Sequence, residues 1–164
     1  MLDLLPDLFD HYGSELTLIP ANWQSYGAKR IFYGEVVTVK CFEDNSKVKS
    51  TLATAGKGKV LVVDGGGVCR RALLGDMIVE SAANNEWEGI IIFGAVRDVG
   101  TLSTIGIGVQ ALSANPIKTE KKDVGLVNIN IEIAGVSVKP AMMIYADENG
   151  IAVTEKPLDL AVLS

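Results

Sequence analysis

Residues 60–99 read VLVVDGGGVCRRALLGDMIVESAANNEWEGIIIFGAVRDV. Val60–Val63 is an aliphatic, β-branched run that predicts a strand, and Asp64-Gly65-Gly66-Gly67 breaks it. Gly75-Asp76 predicts a helix start, with Asp76 able to cap backbone donors, and helical residues follow to about Asn85. Ile90-Ile91-Ile92-Phe93 is a continuous apolar run, the pattern of a strand buried on both faces. Arg97-Asp98 then opens a loop. Strand, helix and strand in this order make a βαβ unit, and ligands of open α/β sheets favour the crevice beyond the carboxyl ends of the strands.

The flanking chain extends this pattern. Leu2, Leu5, Leu8 and Phe9 recur at helical spacing, so a first helix is expected over Asp7–Tyr12, with Pro6 in its first turn. Ala21–Lys29 reads as loop, and Arg30–Phe42 as a strand with Gly34 as a bulge. Asp44 or Asn45 caps a helix from Ser46 to about Ala55, and Gly56-Lys57-Gly58 ends it. Beyond Asp98, Val99–Thr104 reads as a short helix and Ile107–Leu112 as a strand. Pro116–Lys122 reads as a basic, mobile loop. Val127–Ile133 alternates with period two, Val136–Val138 returns, and Met142–Ala146 and Ile151–Val153 flank the turn Asp147–Gly150. Helix-alternating strands followed by hairpins imply an α/β chain with mixed sheets, read here as one domain over 1–164.

Composition narrows the function classes. A net charge of −5 and a pI near 4.9 argue against a nucleic-acid surface, which needs a basic face. A basic protein partner stays open. Cys41 and Cys69 lie in or beside apolar stretches and lack zinc-type spacing, so both are expected as buried free thiols in a reducing compartment. The acidic start MLDLLPDLFDHYG lacks signal-peptide features, and no apolar run has the length of a membrane span, so a soluble cytoplasmic protein is expected.

Asp76, Arg97 and Asp98 are the candidate chemical groups. Whether they meet stays open from spacing alone. If they do, Arg97 offers a planar fork for a carboxylate, and Asp98 offers hard oxygen ligands for Mg²⁺ or Mn²⁺. Asp76 would hold a water of that cation, and the amides of Met77 and Ile78 would take the carboxylate's second oxygen. Such a site suits a 2-oxo acid and an enolate. The plainer alternative makes Asp76 a helix cap and Arg97-Asp98 a surface turn. The Asp64–Gly67 turn lacks P-loop chemistry. Arg70 and Arg71 read as partners of acids or of another protein, and His11 as structural. Lys118, Lys121 and Lys122 read as a solvated loop.

Longer blocks carry a resemblance. GEVVTVKCFEDN at 34–45, GKGKVLVVDGGG at 56–67, RRALLGDM at 70–77, NEWEGIIIFGAVRD at 85–98 and YADENGIAV at 145–153 resemble the regulator of ribonuclease E activity A family. That family includes the class II 4-hydroxy-4-methyl-2-oxoglutarate aldolases. The resemblance implies a swivelling β/β/α three-layer fold like the phosphohistidine domain, in a ring-shaped homotrimer with active sites in clefts between subunits. It implies a divalent-metal aldolase that yields two pyruvates, with oxaloacetate decarboxylation through the same pyruvate enolate. Matched to the motif, Gly75-Asp76-Met77-Ile78 is the substrate loop. Arg97 binds substrate and stabilises the enolate, Asp98 ligates the metal, and Asp76 holds a metal-bound water for proton transfer. The longer aldolases carry a C-terminal extension with an acidic residue for a neighbour's site. This chain, ending at Ser164, is expected to lack it and so either to be slow in aldol cleavage or to favour decarboxylation. The rival reading is an inhibitor that docks on ribonuclease E or on RNA helicases, on a surface separate from the cleft.

Overall fold

The computed structural model describes residues 1–163. Its elements in chain order are α1 (Leu5–Tyr12), β1 (Thr17–Leu18), β2 (Gln24–Ser25), β3 (Phe32–Lys40), α2 (Ser46–Leu52), β4 (Lys59–Asp64), α3 (Asp76–Asn84), β5 (Gly89–Val96), α4 (Val99–Leu102) and β6 (Gly108–Ala114). The antiparallel third adds β7 (Leu126–Val127), β8 (Ile131–Ile133), β9 (Val136–Val138), β10 (Met143–Asp147) and β11 (Gly150–Thr154).

Nine strands form one mixed sheet in the order β1-β11-β10-β3-β4-β5-β6-β2, with β7 beside the end of β3. The four strands β3 to β6 are parallel. Strands β10 and β11 add antiparallel to one side and β2 to the other. Alternate side chains of the central strands feed two cores. Leu61, Val63, Ile90 and Ile92 pack beneath α2, α3 and α4, with Val48, Leu52, Val79, Ala82 and Leu102 as the helical side. Val60, Val62 and Ile91 face the other way and meet Ile131, Ile133 and Val138 of the β8–β9 hairpin. The helical layer, the sheet and the hairpin are the three layers of a β/β/α architecture, so the Ile90–Ile92 run is buried on both faces as its pattern requires. Helix α1 packs over Tyr145 and Ala152. Asp147 accepts the Leu4 and Leu5 amides at 2.8 and 2.9 Å and so ties the start of α1 to the sheet.

Three local readings need correction. Gly34 is not a bulge: β3 runs in regular register past it, opposite Ile144. A side chain there would lie 2.7 Å from the Gly58 carbonyl oxygen, so glycine serves a close approach of two backbones. The bulge falls instead in β5, between Ile92 and Ala95, where the register against β6 shifts. Val127–Ile133 is not one strand, because Asn128 adopts φ 58°, a left-handed conformation that ends β7 and redirects the chain into β8. Ala21–Lys29 is not wholly loop, since Gln24–Ser25 pairs with β6. Both cysteines are free, but only Cys41 is buried; Cys69 is half-exposed. Burial, reinforced by Asp44 and Asp64, pushes the Cys41 thiol up to about 12. No helix among the described residues is long and apolar enough to cross a membrane.

The Pro116–Lys122 segment has no regular structure, yet it is tied down. Buried Asp44 accepts the Ser46 amide (2.9 Å) and hydroxyl (2.6 Å) through one carboxylate oxygen. Its other oxygen takes the amides of Lys122 (2.8 Å) and Val124 (3.1 Å). Asp44 thus caps α2 and anchors the distant loop together. Burial alone would raise its pKa, but the Ser46 hydroxyl and the Ser46, Val124 and Lys122 amides outweigh that and bring it down to about 2. A carboxylate held below its ordinary 3.8 contributes stability that is complete above that value and lost as pH falls through the folded one. The melting temperature should therefore be level above pH 5 and fall between about pH 4 and 2. Asp44→Asn should flatten part of that acid slope; Asp147, also held low by amide donors, accounts for a further part.

Candidate active site

The site begins with the route from β4 to α3. After Asp64 the chain turns at Gly66 and Gly67, both left-handed, and comes back beside the far half of β5. The Leu73 amide donates to the Ala95 carbonyl at 2.9 Å, and the Arg97 amide to the Leu74 carbonyl at 2.9 Å. Residues 72–74 therefore run parallel to the end of β5, and α3 starts where β5 stops. This closes the question left open by spacing: Asp76 and Arg97 share one end of the sheet.

Gly75 occupies the cap position of α3, with Asp76 as the first helical residue. A carboxylate from the next loop also meets the helix start: the Asp76 amide donates to Asp98 Oδ2 at 3.0 Å. A side chain at Gly75 would lie 2.8 Å from that same oxygen and 3.3 Å from Arg97 Nε. Glycine is required here for space, since its φ of −140° suits any residue. Asp98 itself has φ 60° and ψ 36°, a left-handed conformation that costs most residues free energy and that aspartate tolerates better than most. Arg97 Nε lies 3.8 Å from Asp98 Oδ2, and both side chains are a little over one-third exposed.

Asp76, Met77, Ile78, Arg97 and Asp98 line a single cavity of about 270 Å³, together with Gly75. The Asp76 Oδ1 atom accepts the Met77 amide at 2.8 Å, so that amide is engaged within the loop. The Val79 amide returns to the Gly75 carbonyl at 3.1 Å. Among the described residues the Ile78 amide is then the first-turn donor without a partner. The cavity also takes in Asn45, Lys49, Lys118, Thr119 and Lys121, which sequence reasoning left outside the site. Their one legible signal is the basic character of 116–122; the bonds to Asp44 that fold this stretch over the helix leave no periodic trace.

The donor set decides what cation fits. Among the described residues, no three His, Cys, Asp or Glu side chains cluster as a ready-made cage, which argues against a structural zinc site. Asp98 engages its Oδ2 and leaves Oδ1 without a hydrogen-bond partner among the described residues. One hard oxygen beside a cavity of about 270 Å³ suits a cation such as Mg²⁺ that keeps most of its waters.

The other motifs fall elsewhere. Arg70 pairs with Glu43 at 2.8 Å and lies over the Phe42 ring, and Arg71 donates to the Lys118 carbonyl at 3.1 Å. Asp64 caps its own turn by accepting the Gly66 amide at 2.9 Å. His11 is exposed at the end of α1.

Comparison with known proteins places the chain in a family. The family model RraA-like, described as Aldolase/RraA, matches residues 3–153. This chain belongs to the RraA-like family. A relative from Shewanella oneidensis, named "Putative 4-hydroxy-4-methyl-2-oxoglutarate aldolase", is 62% identical over 164 residues, covering 100% of both chains. A solved RraA-like structure, the RNA-processing inhibitor RraA from Thermus thermophilis, has a TM-score of 0.92 at 38% identity, over 98% of this chain and 97% of that one. Another, described as S-adenosylmethionine: 2-dimethylmenaquinone methyltransferase from Geobacillus kaustophilus, also scores 0.92 at 39% identity, over 98% of each. Members of the RraA-like family thus carry different functional names on one fold, and the side chains of the site must choose among them.

Proposed function

We propose that this RraA-like chain is a divalent-metal-dependent carbon–carbon lyase acting on 2-oxo acids. It would cleave 4-hydroxy-4-methyl-2-oxoglutarate to two pyruvates and decarboxylate oxaloacetate through the same pyruvate enolate. The observation that carries this reading is the shared cavity: a guanidinium, a carboxylate with a free oxygen and a helix start converge in a space sized for a small acid. The name of the Shewanella oneidensis relative supports it.

Asp98 would hold the cation, Mg²⁺ or Mn²⁺, which would supply polarisation of the keto oxygen. Arg97 would bind the 1-carboxylate through its planar fork and stabilise negative charge as the enolate develops. The Ile78 amide, at the positive end of α3, would take a remaining carboxylate oxygen. In the aldol cleavage the C4 hydroxyl loses its proton, the C3–C4 bond breaks, and the enolate takes a proton at C3. Asp76, whose Oδ2 is without a partner among the described residues, would pass that proton through water. Purified protein with Mg²⁺ or Mn²⁺ should release pyruvate from oxaloacetate faster than the metal alone. A rate equal to that of the metal alone would end the proposal.

A second reading is inhibition of RNA processing, the role in the description of the solved Thermus thermophilis relative, which this chain would exert by docking on ribonuclease E or an RNA helicase. It would use a surface outside the cavity and so is compatible with the first. A homotrimer suits both, because Phe42, Val124 and Leu126 line one open groove and are 61%, 63% and 56% exposed, apolar area that a neighbouring subunit would cover.

A further inference from the structure

The cavity holds more positive charge than one carboxylate needs. Arg97, Lys49, Lys118 and Lys121 line it, against Asp76 and Asp98 alone, in a chain whose net charge is −5. No carboxylate lies within 4.0 Å of Lys49, Lys118 or Lys121 among the described residues, so their charges are not neutralised within the chain. Two of these lysines extend from a fixed backbone. The Ala72 amide donates to the Ile117 carbonyl at 2.7 Å, and Arg71 holds the Lys118 carbonyl at 3.1 Å. The buried Thr119 hydroxyl donates to Asn45 Oδ1 at 2.8 Å, and Asp44 takes the Lys122 amide at 2.8 Å. Lys118 and Lys121 are thus presented to the cavity by a strap pinned on both sides of each.

We propose that Lys118 and Lys121, assisted by Lys49, bind the second carboxylate of the substrate and select 2-oxo dicarboxylates over 2-oxo monocarboxylates. This rests on the 2-oxo-acid reading of the cavity. With the 1-carboxylate on Arg97, a monocarboxylate leaves the lysines without a counter-charge, while a dicarboxylate satisfies them through charge-assisted hydrogen bonds.

Calorimetric titration of the whole protein with Mg²⁺ present tests it, using 2-oxoglutarate and 2-oxobutyrate as probes. The wild type should bind 2-oxoglutarate about tenfold more tightly, as one charge-assisted contact warrants. Lys118→Gln/Lys121→Gln should cut this preference to about twofold while leaving 2-oxobutyrate unchanged, which also shows the cavity intact. Lys122→Gln removes the same charge from the same loop outside the cavity and should keep the preference. The inference is overturned if the wild type shows no preference, if the double variant keeps it or weakens both acids alike, or if Lys122→Gln erodes it equally. Failure of the lyase reading looks different: selective binding of 2-oxoglutarate with no release of pyruvate from oxaloacetate.

Discussion

Replacing Arg97 by alanine should bring pyruvate release from oxaloacetate down to the rate of the metal alone, a loss of about 10²- to 10³-fold in kcat/KM, the scale expected for removing a principal donor to a developing oxyanion. The side chain reaches the cavity, but its backbone position does not depend on it: the Arg97 amide is held by the Leu74 carbonyl at 2.9 Å. The fold should therefore survive, with a melting temperature within a few degrees of wild type. Arg97→Lys separates charge from geometry. A lysine keeps the positive charge but has no planar fork, so it should recover only a minor part of the activity. An Arg97→Ala protein that works within about threefold of wild type would remove the guanidinium from the chemistry.

Asp98 gives the second large effect, and two substitutions divide its roles. Asp98→Asn keeps an oxygen that can accept the Asp76 amide, and asparagine tolerates the left-handed φ of 60°. It removes only the charge. Cation affinity should fall by at least about 100-fold and lyase activity to background, with the melting temperature almost unchanged. Asp98→Ala also loses the hydrogen bond to the first amide of α3 and puts a poorly suited residue at φ 60°, each worth about 1 kcal/mol. For a chain of this size that lowers the melting temperature by roughly 4–8 °C. Isothermal titration with Mn²⁺ beside thermal melts of both variants checks this. Full cation affinity in Asp98→Asn would show that the carboxylate serves only the helix.

How much of this was legible beforehand follows from which interactions leave a pattern. The Val60–Val63 and Ile90–Phe93 runs announce doubly buried strands because burial on both faces demands uninterrupted apolar residues. The start of α3 was legible in Gly75-Asp76, and Asp76 does accept the Met77 amide, but the second carboxylate at the helix start, Asp98, comes from 22 positions on. The meeting of Asp76 and Arg97 was available from topology: a helix antiparallel to the strand it precedes begins at the end where that strand finishes. Spacing was the wrong guide to it. The fold of Val127–Ile133 was misjudged because alternation reports the burial of Ile131 and Ile133 but is blind to a single left-handed residue at Asn128. The lysine-bearing wall stayed hidden for another reason. What folds it inward is a set of bonds made by the Asn45 and Asp44 side chains, to a hydroxyl and to two backbone amides, spanning 74 to 80 positions, and such bonds have no period to detect.

The walls of the cavity come from four separated stretches, around residues 45–53, 72–81, 97–98 and 118–121. They are stitched to one another by backbone bonds and by the Asp98, Asn45 and Asp44 side chains. A ligand in such a chamber touches stretches that lie far apart in the sequence. Whatever occupies it is linked to unfolding of the entire polypeptide, and occupant binding shifts that equilibrium by mass action. Heat resistance measured on the unlabelled protein is thereby a direct gauge of occupancy, so a panel of small acids can be ranked by thermal shift before any turnover assay is devised.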